Sequence, residues 1–289
     1  MNSRSPADGL PQDLLERVLV RLGFQHQPGN THKDLTAIYA AWCQKVPFDN
    51  VRKLIHMRAE NPGTLPGSHA EDFFTAWLTH GTGGTCWAGS GALFSLLASL
   101  GFDCRRGLAT MLVAPELPPN HATVLVKIDG ANYLMDSSLL CGEPLRIDEE
   151  KETVIPHPAW GLSCAKRDGR WHIAWRPLHK TDGFECRIEH FDAGDADYQS
   201  FYEATRPWSP FNYELTLRTN RGDKVIGASF GQSVTLADDG SVRSTPLSTE
   251  ERNRLLLEEI GLSEEIVSQL PPDMPTPPPP GSKTAQAEA

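Results

Sequence analysis

The chain has 289 residues, six cysteines and a formal net charge of −10, from 27 Lys plus Arg against 37 Asp plus Glu. That acidic balance argues against nucleic acid or an anionic membrane as a main partner, and no apolar run approaches the length of a membrane span. The N-terminus lacks a signal-peptide core and the cysteines lack framework-like spacing, so a reduced, cytoplasmic protein is expected, with no metal and no tightly bound cofactor.

The first hundred residues read as helices. Leu14, Leu15, Val18, Leu19 and Leu22 form one apolar face, with Pro11 near its start. Leu35, Ile38, Tyr39, Trp42 and Val46 form a second, halted by Pro47, and Phe73, Phe74, Trp77 and Leu78 mark a third. Stripes at this spacing are core faces. A fourth helix runs from Cys86 through Leu93, Phe94, Leu97 and Leu100 to Gly101, placed where a glycine ends a helix. From about 102 to 195 the texture changes to short β-rich runs broken by Asp129-Gly130 and Asp168-Gly169, which predicts an antiparallel sheet or barrel. A mixed segment follows. It holds strands over 213–218 and 233–236, then a helix opened by a Ser248/Glu251 capping box and closed by Gly261. Residues 271–289, with four prolines at 277–280, read as a disordered tail.

Chemistry concentrates at three positions. Gly83-Gly84-Thr85-Cys86 places a cysteine at a helix start, where unpaired N–H groups and the helix dipole favour a thiolate. A thiolate nucleophile also needs a base and a group to orient that base. The runs 121–128 and 131–136 flank Asp129-Gly130, a two-residue hairpin signal in which both central positions want positive φ. In that register Ile128 faces Ala131 and Thr123 faces Asp136. His121 is then the diagonal neighbour of Asp136 on one face, with Cβ atoms roughly 7–8 Å apart, and a one-residue slip would separate them. Cys86, His121 and Asp136 thus read as nucleophile, base and orienter. The other five cysteines read as buried thiols.

These residues resemble the arylamine N-acetyltransferase family. Thr82-Gly83-Gly84-Thr85-Cys86-Trp87 is similar to its Arg-Gly-Gly-x-Cys motif with a following aromatic, and Val46-Pro47-Phe48-Asp49-Asn50 to its Pro-Phe-Glu-Asn segment. Leu100-Gly101-Phe102, the strands of His121 and of Tyr133 to Asp136, Ser209-Pro210-Phe211 and Arg221-Gly222-Asp223 add weaker matches. The resemblance implies an α+β chain in three parts with a tail. These are an N-terminal helical bundle over 1–101, a central antiparallel β-barrel over 102–195, a C-terminal α/β lid over 196–270, and the Pro-rich stretch 271–289. It implies ping-pong transfer of an acetyl or other short acyl group from an acyl-CoA, through acyl-Cys86, to a small-molecule amine. It also makes Phe48, Trp87, Ser138 and Leu139 candidates for the substrate wall.

The chain departs from the pattern at Thr82 for the Arg and at Ala88 for a Glu two residues after the cysteine. It departs again at Ser137-Ser138-Leu139-Leu140-Cys141, where the family carries a glycine-rich run beside the acyl site. The first two suggest that a charged anchor under the cysteine turn has been replaced. The third predicts that Leu140 narrows the cleft and disfavours acetyl-CoA with simple arylamines. It keeps open an amide synthase of the same fold fed by an acyl carrier protein. A transglutaminase-like or papain-like thiol hydrolase shares the Cys, His, Asp order, and a non-catalytic binding homologue is the reading from a different class.

Overall fold

The apolar stripes of the N-terminal third become helices that bury the side chains their spacing selects. In the computed structural model, which describes residues 9–59, 63–113, 115–178 and 183–280, α1 (Gln12–Leu22) buries Leu14, Leu15, Val18, Leu19 and Leu22 and ends at Gly23, φ +97°. Helix α2 (His32–Lys45) starts at a Thr31/Asp34 capping box and buries Leu35, Ile38, Tyr39, Trp42 and Cys43. Helix α4 (Ala70–His80) adds Phe73, Phe74 and Trp77. Helix α5 (Cys86–Ser99) is buried along nearly its whole length, as expected of a central helix apolar on all sides. It ends in Gly101 at φ +88°, where Phe102 N–H reaches back to the Leu97 carbonyl.

Eight antiparallel strands follow: β2 (Asp103–Met111), β3 (His121–Ile128), β4 (Ala131–Met135), β5 (Leu145–Ile147), β6 (Thr153–Ile155), β7 (Leu162–Arg167), β8 (Arg170–Trp175) and β9 (Phe184–His190). Their order is β5-β4-β3-β2-β9-β8-β7-β6, and the end strands β5 and β6 lie against each other, nearly closing the sheet into a barrel. The predicted hairpin register is observed, with Ile128 opposite Ala131 and Val124 opposite Met135, and with Asp129 and Gly130 both at positive φ. Helix α5 packs on β2 and β3. There Ser90 Oγ donates to the Ala122 carbonyl at 2.9 Å, which locks the cysteine helix to the histidine strand.

A second antiparallel sheet contains β1 (Phe48–Asp49), β10 (Leu217–Arg221), β11 (Lys224–Ser229), β12 (Gln232–Leu236) and β13 (Val242–Pro246), in that order. The first strand comes from the N-terminal third: Phe48 pairs with Arg218 and Asp49 with Leu217. Along the chain the short α3 (Val51–His56) follows β1, and α6 (Asp195–Glu203) lies between β9 and β10. The predicted strand over 213–218 begins only at Leu217. Asn50 claims the stretch before it, donating to the Phe211 and Glu214 carbonyls and accepting from Thr216 N–H. The Ser248/Glu251 capping box opens α7 (Thr249–Arg254), which continues through a π-turn to Gly261 at φ +81°.

Disorder is the expectation for 271–289. Over 271–280 the chain instead makes fixed contacts. Met274 N–H reaches the Tyr213 carbonyl, Thr276 Oγ1 reaches Glu214 Oε2, and Trp208 Nε1 donates to the Pro277 carbonyl at 3.2 Å. Prolines lack a donor for a ladder, and a polyproline strand can still lie on a surface through its carbonyls. Residues 281–289 lie outside the described part of the chain.

Candidate active site

The three residues singled out from sequence meet in one place. Cys86 opens α5, and the N-cap residue Thr85 makes no side-chain cap bond, so the first N–H groups of the helix stay available. His121 is the first residue of β3 and Asp136 follows the last residue of β4; both are buried. His121 Nε2 lies 2.7 Å from Asp136 Oδ2, and the imidazole also hydrogen-bonds the Cys86 side chain. The Trp175 ring stacks beside the imidazole at 6.2 Å between centroids.

Burial by itself would neutralise His121. The Asp136 charge and hydrogen bond, with Cys86, outweigh it and hold the imidazole up at about 10. Burial likewise works against ionised Asp136, yet His121 and Ser138 keep the carboxyl below its ordinary range. Asp136 Oδ1 accepts from Ser138 N–H (2.9 Å), Ser138 Oγ (2.6 Å) and Leu139 N–H (3.2 Å). Its backbone is clamped by Tyr39, whose hydroxyl donates to the Asp136 carbonyl at 2.7 Å and accepts the Asp136 N–H at 3.1 Å. Ser138 touches the cavity, but its hydroxyl is committed to the carboxylate, so it orients Asp136 where a glycine could not.

The glycine pair is fixed by contact. A Cβ on Gly83 would lie 1.7 Å from the Pro47 carbonyl oxygen. Gly83 N–H donates to Asp49 Oδ2 at 2.6 Å, and Asp49 Oδ1 accepts Val51 N–H. Asp49 therefore anchors the cysteine turn through backbone hydrogen bonds. Thr82, whose buried hydroxyl has no hydrogen-bond partner among the described residues, offers no cation, and burial raises the Asp49 carboxyl to about 6. Ala88, where the family's Glu is expected, packs beside Gly67 and Gly84.

A cavity of about 710 Å³ reaches Cys86 and His121. Phe48, Trp87, Ser138 and Leu139, the four expected wall residues, all line it, as do Trp175, Trp208 and residues 276–280. Trp87 also stacks on Phe201 and Tyr202, and Phe48 sets its edge against Phe211, so both aromatics pack as well as line. The expected narrowing by Leu140 does not occur. At φ +51° this residue turns its side chain into the core, fully buried, while its carbonyl accepts from Asn220. Leu140→Gly should relieve roughly 1–2 kcal/mol of left-handed strain and lose roughly 2–5 kcal/mol of core packing. Urea unfolding should show a net loss of about 2 kcal/mol with the acceptor profile unchanged.

Sequence reasoning missed Lys53, buried beside Thr85 on the cavity wall. Its one signal is a lysine between Val51 and Leu54, both core residues of α3, and a solvated lysine gives the same local pattern. It also missed Arg218, whose place on the wall follows from pairing with Phe48. Arg105 and Arg106 are bound to Asp192 and Asp195. Burial pushes the thiols of Cys43, Cys141, Cys164 and Cys186 up, to about 12 for Cys141 and Cys164. Among the described residues, no group of three His, Cys, Asp or Glu side chains could hold a metal, and no helix is long and apolar enough to cross a membrane.

Comparison with known proteins bears on the family and the fold. A family model described as N-acetyltransferase matches residues 31–267. An arylamine N-acetyltransferase of Mycolicibacterium smegmatis is 27% identical over 217 residues, which cover 69% of this chain and 74% of that protein. Among solved structures, the arylamine N-acetyltransferase of Mycobacterium marinum in complex with CoA superposes with a TM-score of 0.74 at 18% identity, covering 89% of this chain and 96% of that one. That of Mycobacterium abscessus superposes with a TM-score of 0.73 at 18% identity, covering 93% and 98%.

Proposed function

Because the chain belongs to the arylamine N-acetyltransferase family, we propose that it moves an acyl group from a CoA thioester to an arylamine, arylhydrazine or other amine through an acyl-Cys86 intermediate. The observation that carries this reading is the His121 imidazole, held by Asp136 at Nε2 and interacting with Cys86, at the wall of a large cavity. The CoA complex of the similar M. marinum enzyme supports CoA as the donor's carrier.

The steps follow from the three side chains' roles. His121 takes the proton of Cys86, and Asp136 stabilises the resulting imidazolium. The thiolate attacks the thioester carbonyl. The C–S bond to CoA breaks, and the departing thiolate takes the imidazolium proton. The amine then attacks acyl-Cys86, neutral His121 accepts its proton, and the Cys86 thiolate leaves. Free N–H groups at the start of α5 supply the positive potential for both tetrahedral oxyanions.

Incubation with acetyl-, propionyl- and malonyl-CoA in the absence of amine should add one acyl mass to the intact protein, mapping to Cys86. An arylamine should then discharge it. Rapid thioester hydrolysis without an adduct would favour a thiol hydrolase instead, and no reaction with any thioester would favour a binding homologue.

A further inference from the structure

Lys53 has no part in those steps, yet it is 3% exposed and lines the cavity that holds Cys86. A buried ammonium carries three N–H donors and is costly to desolvate unless they are used. Only one is used. Nζ donates to Thr205 Oγ1 at 2.8 Å, while the Thr205 hydroxyl gives its own hydrogen to the Tyr202 carbonyl.

The nearby carboxylates are committed elsewhere. Glu203 accepts from Leu65 N–H and from Arg206 Nε and Nη2. Asp49 accepts from Val51 and Gly83 N–H. No ion pair joins Lys53 to any described residue. Burial pulls its pKa down to about 7, with Cys86 and Glu203 pulling the other way.

We propose that the Lys53 ammonium receives a carboxylate carried by the substrate beside Cys86. That carboxylate belongs either to the acyl group being transferred, as in the monothioester of a dicarboxylic acid, or to the amine acceptor. The inference rests on the acyl-transfer reading for its biological sense and on the Lys53 geometry for its chemistry. A substrate carboxylate would complete the two free N–H bonds at a site already desolvated, where a charge-assisted hydrogen bond is strong. A neutral isostere leaves them unmade.

Three matched probe pairs test this in the wild type, Lys53→Met and Lys53→Arg. Alkylation of Cys86 by iodoacetate against iodoacetamide, followed by peptide mass, needs no acyl transfer. Cys86 acylation by malonyl- against propionyl-CoA tests the acyl source. Discharge of acyl-Cys86 by 4-aminobenzoate against 4-aminobenzamide tests the acceptor source.

The expected result is an anionic-to-neutral rate ratio about tenfold or more higher in the wild type than in Lys53→Met, the size of one hydrogen bond to a charged group. The iodoacetate pair and at least one substrate pair should show it, and Lys53→Arg should restore most of it. The substrate pair that responds identifies the source. An equal rate loss on both members of every pair, with ratios unchanged, overturns the proposal and leaves Lys53 as a structural or thiolate-stabilising charge. If Cys86 is alkylated but never acylated, acyl transfer fails as a reading, while the iodoacetate ratio still decides the role of Lys53.

Discussion

Cys86→Ala is expected to abolish acyl transfer, by about 10⁴-fold or more, as loss of a covalent nucleophile does. The fold should survive. The residue is small and buried at a helix start, and losing one sulfur costs about 1 kcal/mol of packing. No other cysteine among the described residues lines the cavity, and burial raises Cys43, Cys141, Cys164 and Cys186 away from thiolate formation. The structural alternative makes the opposite forecast: a merely buried cysteine would show a stability loss with catalysis intact. Turnover of acetyl-CoA with an arylamine, measured beside a thermal melt, separates the two. Wild-type-like turnover in the alanine variant would end the covalent reading.

Much of the site was legible because its geometry is local. The Asp129-Gly130 turn sets the register of β3 and β4, and that register alone puts His121 and Asp136 on one face. The helix faces of α1, α2 and α4 follow from spacing in the same way. What could not be read depends on distant partners. Phe48 and Asp49 become a strand only because Leu217 and Arg218 lie beside them. The delay of β10 to Leu217 reflects hydrogen bonds from Asn50, far away in sequence. Leu140 was expected at the cleft because it stands where the family carries a glycine-rich run, and a left-handed backbone there sends the side chain inward instead. Ser138 was expected to touch substrate, and its hydrogen bond to Asp136 forms only within the turn that follows β4.

Asp136→Asn is expected to lower turnover by about 10³- to 10⁴-fold, through the proton rather than through position. Oδ1 faces three donors, Ser138 N–H, Ser138 Oγ and Leu139 N–H. An asparagine must therefore put its carbonyl on that side and aim its NH₂ at His121 Nε2. The imidazole can then bond only through a bare Nε2, which moves its proton to Nδ1, the side that must receive the Cys86 proton. The variant also loses the Asp136 charge, the largest of the effects that raise His121 against its burial. Cys86 alkylation by iodoacetamide should accordingly slow near neutral pH in the variant. Stability carries a matching signature. The lowered carboxyl of Asp136 stabilises the fold above its ordinary 3.8, and that contribution fades as pH falls through the folded value. The raised imidazole of His121 stabilises below 6.5, and its contribution fades as pH rises toward about 10. Both are full between about pH 4 and 6.5, so the wild type should exceed the variant most there, with the gap closing on the alkaline side. Chemical denaturation across pH 4 to 10 measures it; a gap that stayed constant with pH, or alkylation at the parental rate, would show that Asp136 does not hold the charge of His121.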